Sequence, residues 1–520
     1  MSGRKYVELI VSWGNGTAVK SPNFVFIMAD DHAVNAISAY GSSLINTKHI
    51  DRLASDGMCF THCYTTNSLC APSRAAILTG TYNHVNGVYT LKTKLSSMFP
   101  NFVKHLQRAG YSTGIIGKWH LGDDKSSEPS GFDHFDVLLG QGDYHDSAFN
   151  LNGKLTNSTG YVTDVITTKS VQWLETRDVS KPFFLMINHK APHREWENHP
   201  KYDNEFQDNI RLPDTFNDNY DNRAKAASAA KIRIREDLKY DDLGLIQPEG
   251  GVEVGQPIKP GSRERKIPDL KDSNVITLID KKTGEKFEFS DPEHLAEFKY
   301  QRYIKRYLRT VLSLDESVGN ILNYLDEMGL ARDTVVVYTS DQGFFLGEHG
   351  WFDKRFIYEE SFQMPLIIRY PEKINGGGVC SDIVSNVDFA PTLLDIAGLP
   401  SPSYMQGRSF LKLLMGETPP NWEQIAYHRY WMHKDLQHNV YAHYGVRDQR
   451  YKLIYWYSEG LGIPGAIDEA EPPEWEFFDC VEDPLELINC YGDSRYSDEV
   501  SRMRALLDAK MSEIGDVPRH

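Results

Sequence analysis

The sequence predicts an α/β fold, with a large central sheet flanked by helices, followed by a smaller C-terminal α+β lobe. The sheet is predicted by four short apolar runs without polar alternation, each leading to a turn with charged or imidazole groups. Such continuous runs are typical of strands buried on both faces of a parallel sheet. An aromatic-rich hairpin pattern near the end of the chain predicts the smaller lobe.

Composition limits the class of protein. The 520 residues are 40% hydrophobic and carry a net charge of −16, so the chain can bury a sizeable core in more than one lobe. The acidic balance argues against nucleic acid as a partner, because phosphate binding needs a basic surface. We also expect no membrane span, since no apolar run approaches the roughly 20 residues that one requires.

The chain start and the cysteines leave the redox compartment open. Residues 1–20 contain only a short apolar stretch at 7–11, which is no convincing signal peptide. Six cysteines are too sparse for a disulfide framework of the small secreted kind. Buried free thiols are expected, with a Cys480 to Cys490 pair left as an alternative.

The strand predictions place polar residues at the carboxyl ends of the sheet. The four apolar runs span residues 24–28, 114–116, 183–187 and 334–338. The polar residues that follow them are Asp30 and Asp31, Lys118 and His120, His189 and His193, and Asp341 and Gln342. Ligands bind beyond the carboxyl ends of strands in open α/β sheets, so these clusters are predicted to converge on one site.

The next part of the chain predicts an insertion and a long helix. Residues from about 211 to 297 form a charged stretch with Pro-Gly punctuation, which indicates an insertion or lid. Apolar residues at helical spacing from about 297 to 328 predict an amphipathic helix packed on the core.

The chain changes character from about residue 422. Residues 442–447 and 450–457, joined by a turn, predict an antiparallel hairpin, and a helix from about 497 to 514 closes the chain. We therefore expect a catalytic domain over residues 21–420 and an α+β subdomain over 421–520.

The segment CAPSRAAILTG at residues 70–80 carries the most chemical information. It predicts a turn with a reactive side chain, followed by a helix with Pro72 in its first turn. The helix amides and the Arg74 guanidinium would face an anion. On these grounds alone Cys70 is a candidate thiolate nucleophile with a lowered pKa, and an unreactive cysteine in front of a helix is the alternative.

The same segment resembles the signature Cys-x-Pro-Ser-Arg-x-x-x-Leu-Thr-Gly of the formylglycine-dependent (type I) sulfatases, and it matches every fixed position. The resemblance implies an alkaline-phosphatase-like fold with a large mixed sheet. It also implies that a formylglycine-generating enzyme oxidises Cys70 to formylglycine (3-oxoalanine). In that family the hydrated aldehyde is a geminal diol that attacks sulfur.

The resemblance extends to an acidic metal site. Asp30 and Asp31, together with Asp341 and Gln342 in the segment SDQG, match the residues that hold the cation in the family. Adjacent carboxylates are costly unless a cation offsets their repulsion. An all-oxygen set of these four residues and the modified Cys70 suits a hard divalent ion, and calcium is the expected one.

The segment GKWHLG at residues 117–122 is similar to the second signature of the family. The resemblance implies that Lys118 holds a sulfate oxygen and the diol, and that His120 takes a proton from the second hydroxyl so that sulfate is eliminated. Lys354 matches the lysine that clamps the sulfate together with Arg74. Asp341 would help to deprotonate the attacking hydroxyl.

The acid toward the leaving alcohol is expected in the segment NHKAPHR at residues 188–194. The family pattern places the active histidine next to the proline, which favours His193, and His189 remains the alternative. The usual second proline of the family is replaced here by Glu195.

Residues 343–351 and 443–454 resemble bacterial polysaccharide sulfatases, including N-acetylglucosamine-6-sulfatases and ulvan-type enzymes. A sulfuric ester hydrolase acting on a sulfated carbohydrate is therefore expected. The aromatic and charged residues at 427–431, His438 and His443 would form either a sugar subsite or the packing of the lobe. The family is commonly periplasmic or secreted, and with no clear export signal the cytoplasm stays an alternative.

Two rival functions share features with this sequence. The first is a phosphonate monoester or phosphodiester hydrolase of the same superfamily, which shares the fold, the metal site and the formylglycine motif. The second is an inactive glycan-binding protein that uses the sulfatase fold. The sequence leaves open the sugar, the position of the sulfate, exo or endo action and the oligomeric state.

Overall fold

The structure, a computed structural model, describes residues 21–247 and 275–518. The apolar stretch at 7–11 and the middle of the predicted insertion lie outside the described residues. None of the helices in the described ranges is both long enough and apolar enough to cross a bilayer.

The described strands, in chain order, are β1 Asn23–Ala29, β2 Met58–Phe60, β3 Cys63–Tyr64, β4 Ser112–Lys118, β5 His134–Leu138, β6 Ala148–Leu151, β7 Lys154–Asn157, β8 Phe183–Asn188, β9 Leu245–Ile246, β10 Ile276–Asp280, β11 Lys286–Phe289, β12 Thr334–Ser340, β13 Phe345–Leu346, β14 Phe352–Asp353, β15 Leu366–Arg369, β16 Gly378–Cys380, β17 Val384–Ser385, β18 Ala426–Tyr430, β19 His443–Arg447, β20 Tyr451–Trp456 and β21 Glu474–Asp479. The described helices are α1 Lys48–Ser55, α2 Cys70–Thr79, α3 Asn83–Asn86, α4 Phe102–Arg108, α5 Val162–Thr176, α6 Lys225–Ala229, α7 Pro292–Glu327, α8 Glu359–Phe362, α9 Phe389–Ile396, α10 Leu411–Leu414 and α11 Ser497–Ile514.

The main sheet has ten strands among the described residues, in the order β16-β2-β15-β12-β1-β8-β4-β5-β6-β7. The four predicted strands β1, β4, β8 and β12 are neighbours at its centre and run parallel. β15 pairs antiparallel with β12, so the sheet is mixed. The predicted α/β fold class is confirmed, and the polar residues that follow the central strands share one edge.

The long helix α7 begins at Pro292, five residues before the predicted start, and has 36 residues. Asp291 caps it by accepting a hydrogen bond from the Glu293 amide at 2.9 Å, and Pro292 occupies its first turn. Its C-terminal half packs on the sheet, while its N-terminal half reaches past the carboxyl ends of the strands. There the Tyr307 hydroxyl donates to the Asp31 carbonyl at 2.7 Å, so α7 supports the loop after β1.

The C-terminal lobe is a four-stranded antiparallel sheet in the order β18-β19-β20-β21, with α11 packed on it. The predicted hairpin is therefore confirmed as β19 and β20. Trp456 and Phe478 of this sheet share one hydrophobic core with Phe356 of the preceding region. Cys480 and Cys490 are free thiols, so the alternative of a disulfide between them is not realised.

The described ends of the predicted insertion are folded parts of the structure. β9, β10 and β11 form a small antiparallel sheet, and Leu245 and Leu278 are buried in a core shared with Tyr303 of α7. This packing positions β10 and β11, which form one wall of the cavity along α7 described below.

Candidate active site

The polar residues after the central strands meet in one buried cluster. Asp30 and Asp31 follow β1, Asp341 follows β12, Lys118 ends β4 and His193 follows β8. The Lys118 ammonium forms an ion pair with Asp30, and His193 Nε2 lies 3.8 Å from Asp31 Oδ2. The predicted convergence is thus present in the structure, and all five side chains are buried.

Three carboxylates offer oxygen atoms to a single point, and Gln342 lies beside them, where its Nε2 donates to Asp31 Oδ1. Single oxygens of Asp30, Asp31 and Asp341 all lie within 4.8 Å of one another. Asp30 Oδ1, Asp31 Oδ2 and Gln342 Oε1 are buried and meet no hydrogen-bond donor in the described part of the chain. Burial raises the pKa of Asp31 to about 6 against the lowering effect of Lys354. Crowded carboxylates with unused oxygens fit a hard divalent cation.

Three cations lie directly against these carboxylates: Arg74, Lys118 and Lys354, the last in an ion pair with Asp31. Arg74 Nε donates to Asp341 Oδ2 at 2.9 Å, and its Nη1 donates to the Lys118 carbonyl at 3.0 Å. Although burial opposes it, Lys118 above all holds the pKa of Asp30 well below its usual range, so that carboxylate is ionised. The site therefore presents fixed positive charges to an anion without solvent screening.

Cys70 is the first residue of α2, and this helix is buried along its whole length. Lys354 Nζ lies 3.2 Å from the Cys70 sulfur. Burial nevertheless raises the pKa of the Cys70 thiol to about 12, because desolvation outweighs the lysine charge. The interpretation of Cys70 as a low-pKa thiolate nucleophile was therefore wrong, since the unmodified residue is a neutral thiol.

The two histidines after β8 have different surroundings. His193 Nδ1 donates to the Arg194 carbonyl at 2.5 Å, which leaves Nε2 facing the acidic cluster. His189 Nε2 instead lies 3.1 Å from the Ser317 hydroxyl on α7. Burial holds the pKa of His193 well below its usual range, so its ring is neutral before a substrate anion arrives. Only His193 is placed to reach a bound group beside Asp31.

His120 lies beside Lys118 and is supported by a residue that the sequence did not single out. Gln141 Nε2 lies 3.1 Å from His120 Nε2, while His120 Nδ1 is buried without a partner among the described residues. Burial and Lys118 hold the pKa of His120 well below its usual range. Gly117 allows this arrangement, because a Cβ there would lie 2.0 Å from the Asn188 carbonyl oxygen.

Left-handed backbone conformations occur at four non-glycine residues of this region. The φ angles are 71° at Asp31, 56° at His120, 76° at Asp353 and 99° at Arg355. Such conformations cost of order 1–3 kcal/mol each and persist where the surrounding structure imposes them, commonly at functional sites.

A pocket of about 620 Å³ leads from Cys70 to the surface. Its wall contains charged and imidazole side chains from three places: the loop after β8, the residue after Lys354, and the C-terminal lobe. His438 Nδ1 lies 2.8 Å from Arg355 Nη2 and 2.7 Å from Asp435 Oδ1. Arg194 forms an ion pair with Asp353 and lies 3.0 Å from His438 Nε2. Arg194, Arg355, Asp435 and His438 form a polar wall of the pocket that Cys70 also lines.

The other aromatic and basic residues proposed for a sugar subsite lie elsewhere. The His443 ring is buried with its centroid 4.3 Å from that of Trp456, and His428 Nε2 accepts from the Ser68 amide at 3.0 Å. Tyr427 and Tyr430 are also buried in the lobe. Packing is therefore the outcome for His443 and these three residues, whereas His438 lines the pocket.

Models of known protein families match both the main domain and the C-terminal lobe of this chain. The family model described as Sulfatase matches residues 22–399, and one described as N-sulphoglucosamine sulphohydrolase, C-terminal, matches residues 347–513. An N-acetylglucosamine-6-O-sulfatase of Bacteroides thetaiotaomicron is 41% identical over 96% of this chain and 87% of its own.

Solved structures also resemble this chain over nearly its whole length. The structure of BT4656 in complex with its substrate D-glucosamine-2-N,6-O-disulfate matches with a TM-score of 0.83 and 40% identity, covering 96% of this chain and 99% of that one. The phosphonate monoester hydrolase of Agrobacterium radiobacter matches with a TM-score of 0.67 at 21% identity, covering 95% and 96% of the two chains. At that identity the second likeness is one of fold alone.

Proposed function

The chain belongs to the sulfatase family and removes sulfate from a sulfated carbohydrate, and from this premise we propose that the sulfate lies on O6 of a glucosamine unit. The observation that carries the proposal is the likeness, over nearly the whole chain, to a relative named for that activity. The polar wall of the Cys70 pocket supports it, since a sugar beside the sulfate needs hydrogen-bonding partners for its hydroxyls.

We further propose that Cys70 is oxidised to formylglycine by a formylglycine-generating enzyme and that Asp30, Asp31, Asp341 and Gln342 hold one divalent cation, calcium. The cation would polarise a sulfate oxygen, and the hydrated aldehyde would supply the attacking hydroxyl. The buried oxygens without donors support the cation, and the high pKa of the unmodified thiol supports the need for modification.

The residues of the chain would then divide the remaining work. Lys118, Lys354 and Arg74, all buried, would hold the sulfate oxygens and balance their charge. Asp341 would help to remove the proton of the attacking hydroxyl. His193 would protonate the leaving oxygen through Nε2, because its Nδ1 is occupied by a carbonyl and a bound sulfate raises its pKa. His120 would accept a proton as sulfate leaves.

We assign the catalytic domain to residues 21–420 and the α+β subdomain to 421–520, because β18 begins the second sheet at Ala426. The subdomain contributes His438 and Asp435 to the pocket. The two domains would therefore build one active site together.

The proposal is tested with matched sulfated sugars. N-acetylglucosamine-6-sulfate, its 3-sulfate isomer, N-acetylgalactosamine-6-sulfate and a phosphonate monoester are assayed for release of sulfate or phosphonate under one condition. We expect kcat/KM for N-acetylglucosamine-6-sulfate to exceed the others by at least about 100-fold. Equal rates on the 3-sulfate, or a preference for the phosphonate ester, would contradict the assignment.

Gln141 is predicted to position His120. Replacing Gln141 by leucine removes the amide beside His120 Nε2, so we expect kcat to fall about 10-fold with little change in KM. Gln107→Leu, at a half-buried glutamine that donates to Asp133, is the matched control. Initial rates over a range of substrate concentrations separate the two parameters, and an unchanged kcat in Gln141→Leu would refute the positioning role.

His438 is predicted to recognise the sugar and not to take part in bond cleavage. His438→Ala removes the group between Arg355 and Asp435, and we expect KM to rise about 10-fold while kcat changes less than KM. His433→Ala, at a histidine of the same lobe bonded to the Glu469 carbonyl at 2.9 Å, serves as the control. A fall in kcat alone would contradict a role in sugar recognition.

A further inference from the structure

A second cavity lies along the N-terminal half of α7 and shares no lining residue with the active-site pocket. Its volume is about 780 Å³, and its walls are α7, the hairpin of β10 and β11, and the loop from Asn198 to Asn209. We call it the distal pocket, defined by Asn198, Gln207, Arg302, Lys305, Arg306 and Arg309.

Four cations of α7 line the distal pocket on one face of the helix, since their spacing of three and four residues places them in line. Arg302 is paired with Asp280, and Arg309 Nε donates to the Glu205 carbonyl at 3.0 Å. Lys305 Nζ donates to the Gln207 carbonyl at 3.0 Å.

Arg306 differs from its neighbours. Its guanidinium forms neither an ion pair nor a hydrogen bond with any residue in the described ranges, and its Nε is buried. It is half-buried beside Gly244, where a Cβ would lie 2.9 Å from its Nη1. A desolvated guanidinium without a partner is costly unless an anion completes its hydrogen bonds.

The charges around Arg306 favour an anion. Burial and the Arg302 charge lower the pKa of Arg306 to about 10. Burial also lowers the pKa of Lys305 and of Arg309, with the Arg309 charge adding to the effect on Lys305.

Carboxylates that face the pocket do not neutralise this face of α7. Asp203 and Asp280 are in ion pairs with Lys282 and Arg302. Glu285 and Glu297 also line the cavity. The Glu197 and Asp280 charges raise the pKa of Arg306, but burial outweighs them and keeps it below its usual value.

Two chain segments connect the distal pocket to the active site. Arg194 Nη1 lies 3.9 Å from Asp242 Oδ2 in the wall of the active-site pocket, and Arg302 Nε donates to the adjoining Leu243 carbonyl at 2.6 Å. The loop from His193 to Asn198 also links them, and five residues of chain span at most about 18 Å. This upper limit on the separation of His193 and Asn198 corresponds to the length of a few sugar units.

We propose that the distal pocket binds an anionic group, sulfate or carboxylate, on a sugar of the same glycan other than the one that loses its sulfate. This inference rests on the proposed function and extends it from a sulfated sugar to a polyanionic oligosaccharide. Arg306 is the principal ligand, and Lys305 and Arg309 supply further charge.

The test compares Arg306→Ala with wild type on three substrates. These are N-acetylglucosamine-6-sulfate, a neutral tetrasaccharide with one 6-O-sulfate, and a tetrasaccharide of equal length with further sulfate and carboxylate groups. We expect KM for the polyanionic tetrasaccharide to rise about 10-fold, the loss expected for one charge-assisted contact. The other two substrates should keep their KM and kcat.

Binding is measured separately from turnover. In the Cys70→Ala background, calorimetric titration with the polyanionic tetrasaccharide should show about a 10-fold higher Kd when Arg306 is also replaced. Such a loss of binding with no sulfate release from any substrate by the Cys70 enzyme would overturn the proposed function and leave the distal pocket standing.

Three controls make the outcome decisive. Arg332→Ala removes an exposed charge beyond the other end of α7 and should leave all KM values unchanged. Arg306→Lys keeps the charge and should retain part of the binding, and thermal unfolding of each variant identifies any loss of fold. An unchanged KM for the polyanionic tetrasaccharide in folded Arg306→Ala overturns the proposal, as does Arg306-dependent binding of inorganic sulfate alone.

Discussion

Cys70→Ala is expected to abolish sulfate release while leaving the protein folded. The residue lies at the start of α2 with Lys354 3.2 Å from its sulfur, and no other buried cysteine is described in contact with the acidic cluster. Loss of a covalent nucleophile typically costs several orders of magnitude, so we expect kcat to fall at least about 10⁴-fold. Initial rates on N-acetylglucosamine-6-sulfate measure the loss.

Mass spectrometry of the peptide across residues 70–80 identifies the modification in the active enzyme. Oxidation of the cysteine to formylglycine lowers the peptide mass by about 18 Da. Cys63→Ala is the matched control, because Cys63 is also fully buried and belongs to a short strand beside α2. Activity that survives Cys70→Ala, or an active enzyme whose Cys70 is wholly unmodified, would refute the formylglycine mechanism.

The centre of the fold was predictable because its strands are buried on both faces. β1 and β8 consist almost wholly of apolar residues and β12 contains the apolar run VVVY, so their positions follow from hydrophobicity alone. Strands of two or three residues, such as β2 and β16 at the edge of the sheet, leave no such pattern, and their pairing depends on distant segments.

The site was predictable where residues follow a strand or lie in a local signature. Asp30, Lys118 and Asp341 meet for the first reason, and their convergence was predicted, whereas the ion pair between Lys118 and Asp30 was not. Gln141 and His438 reach the pocket from separate loops, and nothing local to either residue specifies its neighbours. The glycines on both sides of Gln141, which have φ angles of 55° and 67°, are the one local signal of an unusual loop there.

The pKa of Cys70 shows why local reasoning failed there. A helix start and a nearby arginine suggested a thiolate, but every residue of α2 is buried, and desolvation depends on the whole fold. The same burial strengthens the ion pairs between Lys118 and Asp30 and between Lys354 and Asp31, because buried charges are screened less by solvent.

Asp31→Asn is expected to remove both the bound cation and the activity. The substitution keeps the size of the side chain but removes one of three carboxylates whose oxygens lie within 4.8 Å of one another. We expect kcat to fall about 10³-fold, since polarisation of the sulfate is worth several kcal/mol. The wild-type enzyme should lose its activity in a chelator and regain it with calcium.

Thermal unfolding separates loss of the cation from loss of another catalytic function. A ligand at 100 times its Kd stabilises the native state by about 2.7 kcal/mol, so calcium should raise the Tm of chelator-treated wild type. It should not raise that of Asp31→Asn. Asp136→Asn, at a buried aspartate of β5 that is paired with Lys169, should keep the calcium response. A calcium-dependent Tm rise that persists in Asp31→Asn would contradict the assigned cation site, because the binding would then depend on other residues.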